Sequence, residues 1–133
     1  MNERETITEG RTITETDVVM FSYFTGDWTY LHTDKEKANK SAFGERVAHG
    51  YLTLAVALGL VIRSGAINTN LFIALKSIES VKFLKPVKIG DTLTVSYQKF
   101  SGGSSQVGIL FKGSWHKIWG RNFCLFKEPA RDA

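Results

Sequence analysis

Hydrophobic positions along this chain change their spacing near its middle. From Val47 to Ile62 the sequence reads VAHGYLTLAVALGLVI, with apolar residues at 47, 48, 51, 52, 54 to 58 and 60 to 62. These cover every side of a 3.6-residue wheel, which predicts a helix enclosed on all faces. A membrane span needs ~20 apolar residues. This run is shorter, is interrupted by His49, Gly50, Thr53 and Gly59, and closes on Arg63-Ser64-Gly65, a positive last turn before a terminating glycine. It reads as a core helix, and something must wrap around it.

The wrapping material lies C-terminal. Residues 71 to 127 are rich in β-branched and aromatic side chains and are divided by turn signals at Pro86 to Asp91 and at SGGSS, residues 101 to 105. Three to five antiparallel strands fit there. Leu93, Val95 and Tyr97 alternate with Thr92, Thr94 and Ser96, as a strand with one buried face requires. Before the helix, Thr6 to Thr14 alternates weakly and predicts a short strand or two around Gly10. Thr16 to Phe24 predicts a helix capped by Thr14 or Thr16, with Val18, Met20, Phe21 and Phe24 on roughly one side and Gly26 as its end. One helix rolled in one antiparallel sheet is an α+β arrangement.

At 133 residues the chain has room for a single domain spanning 1–133. Only the termini, Met1 to Glu5 and Pro129 to Ala133, carry the weak patterning expected of disorder. The single cysteine, Cys124, excludes an intrachain disulfide. No basic region followed by an apolar run opens the sequence, so a reducing, cytoplasmic setting is the expectation. The net charge of +4 is a small excess, and no nucleic-acid motif accompanies it. Lys35, Lys37 and Lys40, and Lys82, Lys85 and Lys88, read as solvated faces.

The stretch with the most chemistry is Thr25-Gly26-Asp27-Trp28-Thr29-Tyr30-Leu31-His32. An acid and an imidazole stand five residues apart in an expected loop, beside apolar side chains. Desolvation and mutual interaction can move both pKa values toward neutrality, as a general acid and base require. The same residues also fit a turn aspartate and a structural histidine. His32, His49 and His116 lack tight ligand spacing and there is no second cysteine, so no metal site is expected. Gly50 at a helix N-terminus either lets a carbonyl oxygen approach unpaired amides or permits tight packing. His49 reads as an oriented structural residue.

Residues 21 to 34 (FSYFTGDWTYLHTD), 42 to 52 (AFGERVAHGYL) and 81 to 95 (VKFLKPVKIGDTLTV) together resemble the MaoC-like, or (R)-specific enoyl-CoA hydratase, family of hotdog-fold proteins. The resemblance implies a long central helix wrapped by a curved antiparallel sheet, with two such folds pairing edge to edge. It implies Asp27 and His32 as an acid-base dyad and the Gly50 backbone N–H as the oxyanion donor. It implies (R)-specific hydration of 2-enoyl thioesters, or the reverse dehydration, with no cofactor beyond the coenzyme A or phosphopantetheine carried by the substrate. Trp28, Thr29, Phe43, Val47, His49 and Tyr51 fall where substrate would be bound, although Phe43, Val47 and Tyr51 also fit as core. Acyl-CoA or acyl carrier protein thioesters are the expected partners, in a homodimer or larger homo-oligomer, without nucleic acid or membrane.

Two departures stand out. The family's usual Asn-Pro inside the motif is Thr29-Tyr30 here, and a serine sometimes found in the central helix is absent between Tyr51 and Leu60. A non-catalytic acyl-thioester binding module, or a partner subunit of a heteromeric dehydratase, is the alternative. Thioesterases usually place an acid on the central helix, and Val47 to Ile62 holds no Asp or Glu.

Overall fold

A computed structural model describes residues 6–65, 72–101, 106–113 and 117–127, with side chains described for 6–65, 75–98 and 117. Both termini, His116 and the Cys124 side chain lie outside this set, and with them the expectations placed on those residues. The order is β1 (Thr6–Ile7), β2 (Arg11–Thr12), α1 (Glu15–Thr25), α2 (Tyr30–Thr33), α3 (Lys35–Asn39) and α4 (Gly50–Arg63). Strands β3 (Phe72–Phe83), β4 (Thr92–Leu93), β5 (Val95–Ser101), β6 (Gln106–Gly113) and β7 (Ile118–Lys127) follow.

The strands form an antiparallel sheet ordered β1-β5-β6-β7-β3, and β2 pairs with β4 separately. Register along β5 follows from its pattern. Leu93, Val95 and Tyr97 are buried, so the polar residues between them face the other way, and Val95 pairs with Gly113 while Tyr97 pairs with Phe111. Strand β7 sits between β6 and β3, and β3 is left at the sheet edge.

Helix α4 lies against this sheet through Leu52, Ala57, Leu60 and Val61, which share one core with Ile13, Val18, Val87, Leu93 and Val95. Enclosure is less complete than the sequence implied. Tyr51 is 73% exposed and Ile62 43%, and Ala55 between them is also exposed. Positions 51, 55 and 62 recur at helical spacing, so one stripe of α4 remains open in the isolated chain. The helix also starts later than its apolar run, because Val47 is extended and bridges Lys88. At its other end Ser64 caps the helix and Gly65 follows with φ of +83°, as the sequence indicated.

Helix α1 begins with a capping box in which Thr14 accepts from the Asp17 amide while Asp17 accepts from the Thr14 amide. Arg11 holds the Asp17 carboxylate from outside through both oxygens, at 2.9 and 3.0 Å. The buried face of α1 is Val18 and Ser22, with Phe21 half-buried. Met20 and Phe24, expected on that face, are 65% and 89% exposed, because the helix turns its Val18–Ser22 edge rather than its most apolar edge toward α4.

Candidate active site

Gly26 ends α1 in the left-handed conformation, φ of +79°, where its lack of a Cβ avoids strain. The chain reverses there and is pinned at once. Thr25 Oγ1 donates to Phe21 O at 2.7 Å and accepts from the Asp27 amide at 3.1 Å. Asp27 Oδ1 then accepts two bonds from Thr29, from the amide at 3.1 Å and from the hydroxyl at 2.6 Å. This side-chain turn leads directly into α2.

His32 therefore stands on a single helical turn, not in an open loop. Thr33 Oγ1 closes that turn by donating to the carbonyls of Trp28 and Thr29. His32 Nδ1 lies 2.8 Å from the Val47 carbonyl, which can only accept, so this nitrogen carries the proton. The remaining nitrogen, Nε2, faces Asp27 Oδ2 at 3.9 Å. That gap is too long for a direct hydrogen bond, yet one water can reach both atoms.

The electrostatics depart from the expectation of two groups drawn toward neutrality. The two Thr29 donors hold the Asp27 carboxyl below its ordinary range, against a smaller opposing effect of burial, so Asp27 is an anion. A third group joins the pair. His49, 1% exposed, stacks on His32 with ring centroids 3.9 Å apart and an interplanar angle of 25°. Burial, followed by the neighbouring His32, pushes its imidazole below the usual histidine range and keeps it uncharged.

Asp27, His32 and His49 thus offer donor atoms within 4.8 Å of one another, a grouping hidden by their separation along the chain. His32 Nδ1 is committed to the Val47 carbonyl and His49 Nε2 lies 3.0 Å from Ser22 Oγ and 3.3 Å from Asp27 O, so the atoms of this group left for another partner are His32 Nε2, Asp27 Oδ2 and His49 Nδ1.

Beside the α4 N-terminus lies a cavity of about 320 Å³, lined by Leu31, Phe43, Val47, Gly50, Phe83 and Pro86 among others. A Cβ added to Gly50 would stand 3.2 Å from the Phe83 ring, a close approach to which the ring must yield by a few tenths of an ångström. As the first residue of α4, Gly50 also carries an amide with no intrahelical partner. Both readings left open by the sequence are therefore compatible at one residue.

The other candidates separate. Phe43 and Val47 line the cavity. Trp28 is half exposed and meets Tyr23 edge to face at 4.8 Å, while Thr29 serves Asp27. Tyr51, expected in the pocket wall, is exposed and absent from the cavity lining, because α4 begins only one residue earlier and turns it outward. Ser22 had not been recognised. A serine inside an apolar helix, fully buried, needs a polar partner, and that was the signal available.

Residues 2–110 match the family model for the MaoC-like domain. The chain belongs to this family and has its hotdog fold. It is 44% identical over 89 residues to protein MaoC of Klebsiella aerogenes, covering 67% of this chain and 26% of that protein. It is 31% identical over 100 residues to the (R)-specific enoyl-CoA hydratase of Rhodospirillum rubrum, covering 72% of this chain and 64% of that enzyme. The chain thus spans less than two thirds of either relative. Among solved structures, the monoamine oxidase regulatory protein from Archaeoglobus superposes with a TM-score of 0.79 at 32% identity, covering 96% of this chain and 91% of that one.

Proposed function

We propose that the chain catalyses (R)-specific hydration of 2-enoyl thioesters, or the reverse dehydration of (3R)-hydroxyacyl thioesters. The observation that carries this reading is the Asp27 Oδ2 to His32 Nε2 separation of 3.9 Å, which suits one shared water. Asp27, kept ionised by Thr29, accepts a proton as the water oxygen bonds to C3. His32 enters this step protonated on both nitrogens, delivers the Nε2 proton to C2 and keeps its Nδ1–H bond to Val47 O, which holds the ring in register. The thioester oxygen gathers negative charge at the same moment, and the Gly50 amide at the α4 N-terminus is placed to receive it. Net, one water adds across the double bond and both catalytic groups are returned by proton exchange.

The substrate would hang from coenzyme A or from a carrier protein's phosphopantetheine. Lys85 borders the cavity and offers a positive charge to an acidic carrier. The test is incubation with crotonyl-CoA and separation of the product by configuration. The (3R)-alcohol supports the proposal. Release of free coenzyme A instead marks a thioesterase, and saturable binding without turnover marks a binding or partner subunit.

A further inference from the structure

We propose that His49 is a positioning residue of the Asp27 and His32 pair, one imidazole that fixes the ring of His32 by stacking and the backbone at Asp27 by a hydrogen bond. Its kinetic consequence rests on the hydratase reading above, and its geometric consequence does not.

The position is unusual for its helix. His49 occupies the N-cap of α4, where a short polar side chain would normally bond the first amides, yet it makes no capping bond. Its side chain is given instead to α1 and to the Asp27 loop. Nε2 lies 3.0 Å from Ser22 Oγ and 3.3 Å from the Asp27 carbonyl oxygen. Phe21 meets the ring edge-on at 4.9 Å, and His32 is stacked on it at 3.9 Å. The titratable groups facing it are His32 from α2 and Asp27 from the loop.

The tautomer follows from the partners. Nδ1 is buried without a hydrogen-bond partner among the described residues. A proton there would leave an orphaned donor and set the Nε2 lone pair against the Asp27 carbonyl oxygen. With the proton on Nε2, one donor is shared by Ser22 Oγ and Asp27 O, and only a lone pair goes unmet, the more tolerable deficit. The Nε2–H form therefore ties three pieces of chain together: the buried face of α1, the loop at Asp27 and the start of α4.

An uncharged ring in this place has a second effect. Kept neutral by burial, His49 places no positive charge of its own against the face of His32. Position and charge both matter, so filling the same volume with a different side chain is not enough.

The test joins imidazole nitrogen NMR with kinetics on wild type, His49→Phe and His49→Gln. Phenylalanine keeps a flat ring without the N–H, and glutamine keeps an N–H near the Nε2 position without the ring. In wild type, His49 is expected as the Nε2–H tautomer and stays neutral as pH falls through the ordinary histidine midpoint of ~6.5. Each variant is expected to shift the His32 ring nitrogen resonances and to lower kcat by on the order of 10²-fold, with little change in KM, as for a misplaced catalytic group.

A folded His49→Phe with wild-type kcat and unmoved His32 ring resonances overturns the proposal, as does an Nδ1–H tautomer of His49 in wild type. If wild type hydrates no enoyl thioester, the reaction assignment fails while the NMR still decides the positioning role. Should both variants fail to fold, Ser22→Ala takes their place. It is expected to shift the His49 Nε2 resonance and reduce kcat several-fold, and an unchanged spectrum overturns the proposal.

Discussion

The Thr29 hydroxyl donates to Asp27 Oδ1 at 2.6 Å, and the Thr29 amide donates to the same oxygen at 3.1 Å. A residue that interrupts the family's usual motif thereby fixes the motif aspartate. It also leaves Oδ2 free to face His32.

Thr29→Val removes the hydroxyl bond and keeps the shape of the side chain. The bond favours the ionised carboxyl, so its loss raises the Asp27 pKa toward the ordinary value near ~3.9. The acidic limb of the pH–rate profile is expected to move to higher pH, with kcat reduced at every pH. Rates measured across that limb for both proteins check this. Thr29→Ser is expected to restore the wild-type limb.

Gly50→Ala brings a methyl group to 3.2 Å from the Phe83 ring. Helix propensity favours alanine by roughly 1 kcal/mol, which offsets part of the strain, so stability is expected to change little. Activity is expected to fall at least 10-fold because the methyl group stands where the thioester must approach the amide. A second substitution, Phe83→Leu, replaces that ring with a smaller side chain and makes room for the methyl group. Thermal melting and kcat/KM for the two single variants and the double variant check this, since recovery of stability without recovery of rate separates packing from blocked approach.

His49 makes stability depend on pH. Its folded pKa is depressed by burial, so the unfolded chain binds this proton more readily than the folded one. The contribution is fully present above the unfolded value of ~6.5 and is lost as pH falls from there toward the lower folded value. Urea denaturation is expected to show stability declining below pH ~6.5, and a folded His49→Gln variant is expected to show a shallower decline through the same range.

Strand β3 lies at the sheet edge, and Leu75, Ile78 and Phe83 along it are 48%, 40% and 49% exposed. A long apolar edge is a template for pairing with another chain. Light scattering at micromolar concentration is expected to give at least twice the 14.9 kDa chain mass. The monomer mass would remove the case for edge pairing.

Much of the fold was legible because local signals agreed with the global one. Thr14, Gly26 and Gly65 mark helix ends by backbone geometry that few other residues serve as well, and β5 alternates with the strand period. The open stripe of α4 was not legible. Composition around a helical wheel says which residues are apolar, whereas the position of the sheet decides which of them it covers. Tyr51 is exposed for that reason, and Phe24 because α1 turns its Val18–Ser22 edge toward α4.

The site divides in the same way. Asp27 and His32 are close in sequence, and a shared motif brings them forward. The contact between His32 and His49 spans the turn into α4, and the contact of His49 with Ser22 joins the N-cap of α4 to α1 between residues 27 positions apart. No linear spacing encodes either one. The lowered pKa of Asp27 was missed because its cause is the geometry of Thr29, which residue identity alone does not reveal.

In the function proposed above, Asp27 and His32 act on one water at an enoyl thioester. The most direct measurement follows loss of the conjugated enoyl absorbance with crotonyl-CoA and a longer 2-enoyl-CoA, comparing wild type with Asp27→Asn and His32→Ala. Turnover by wild type to the (3R)-alcohol is expected, with a loss of at least 10²-fold in kcat in each folded variant. Equal turnover by wild type and either folded variant, or binding of both substrates by all three proteins with no turnover, would contradict it.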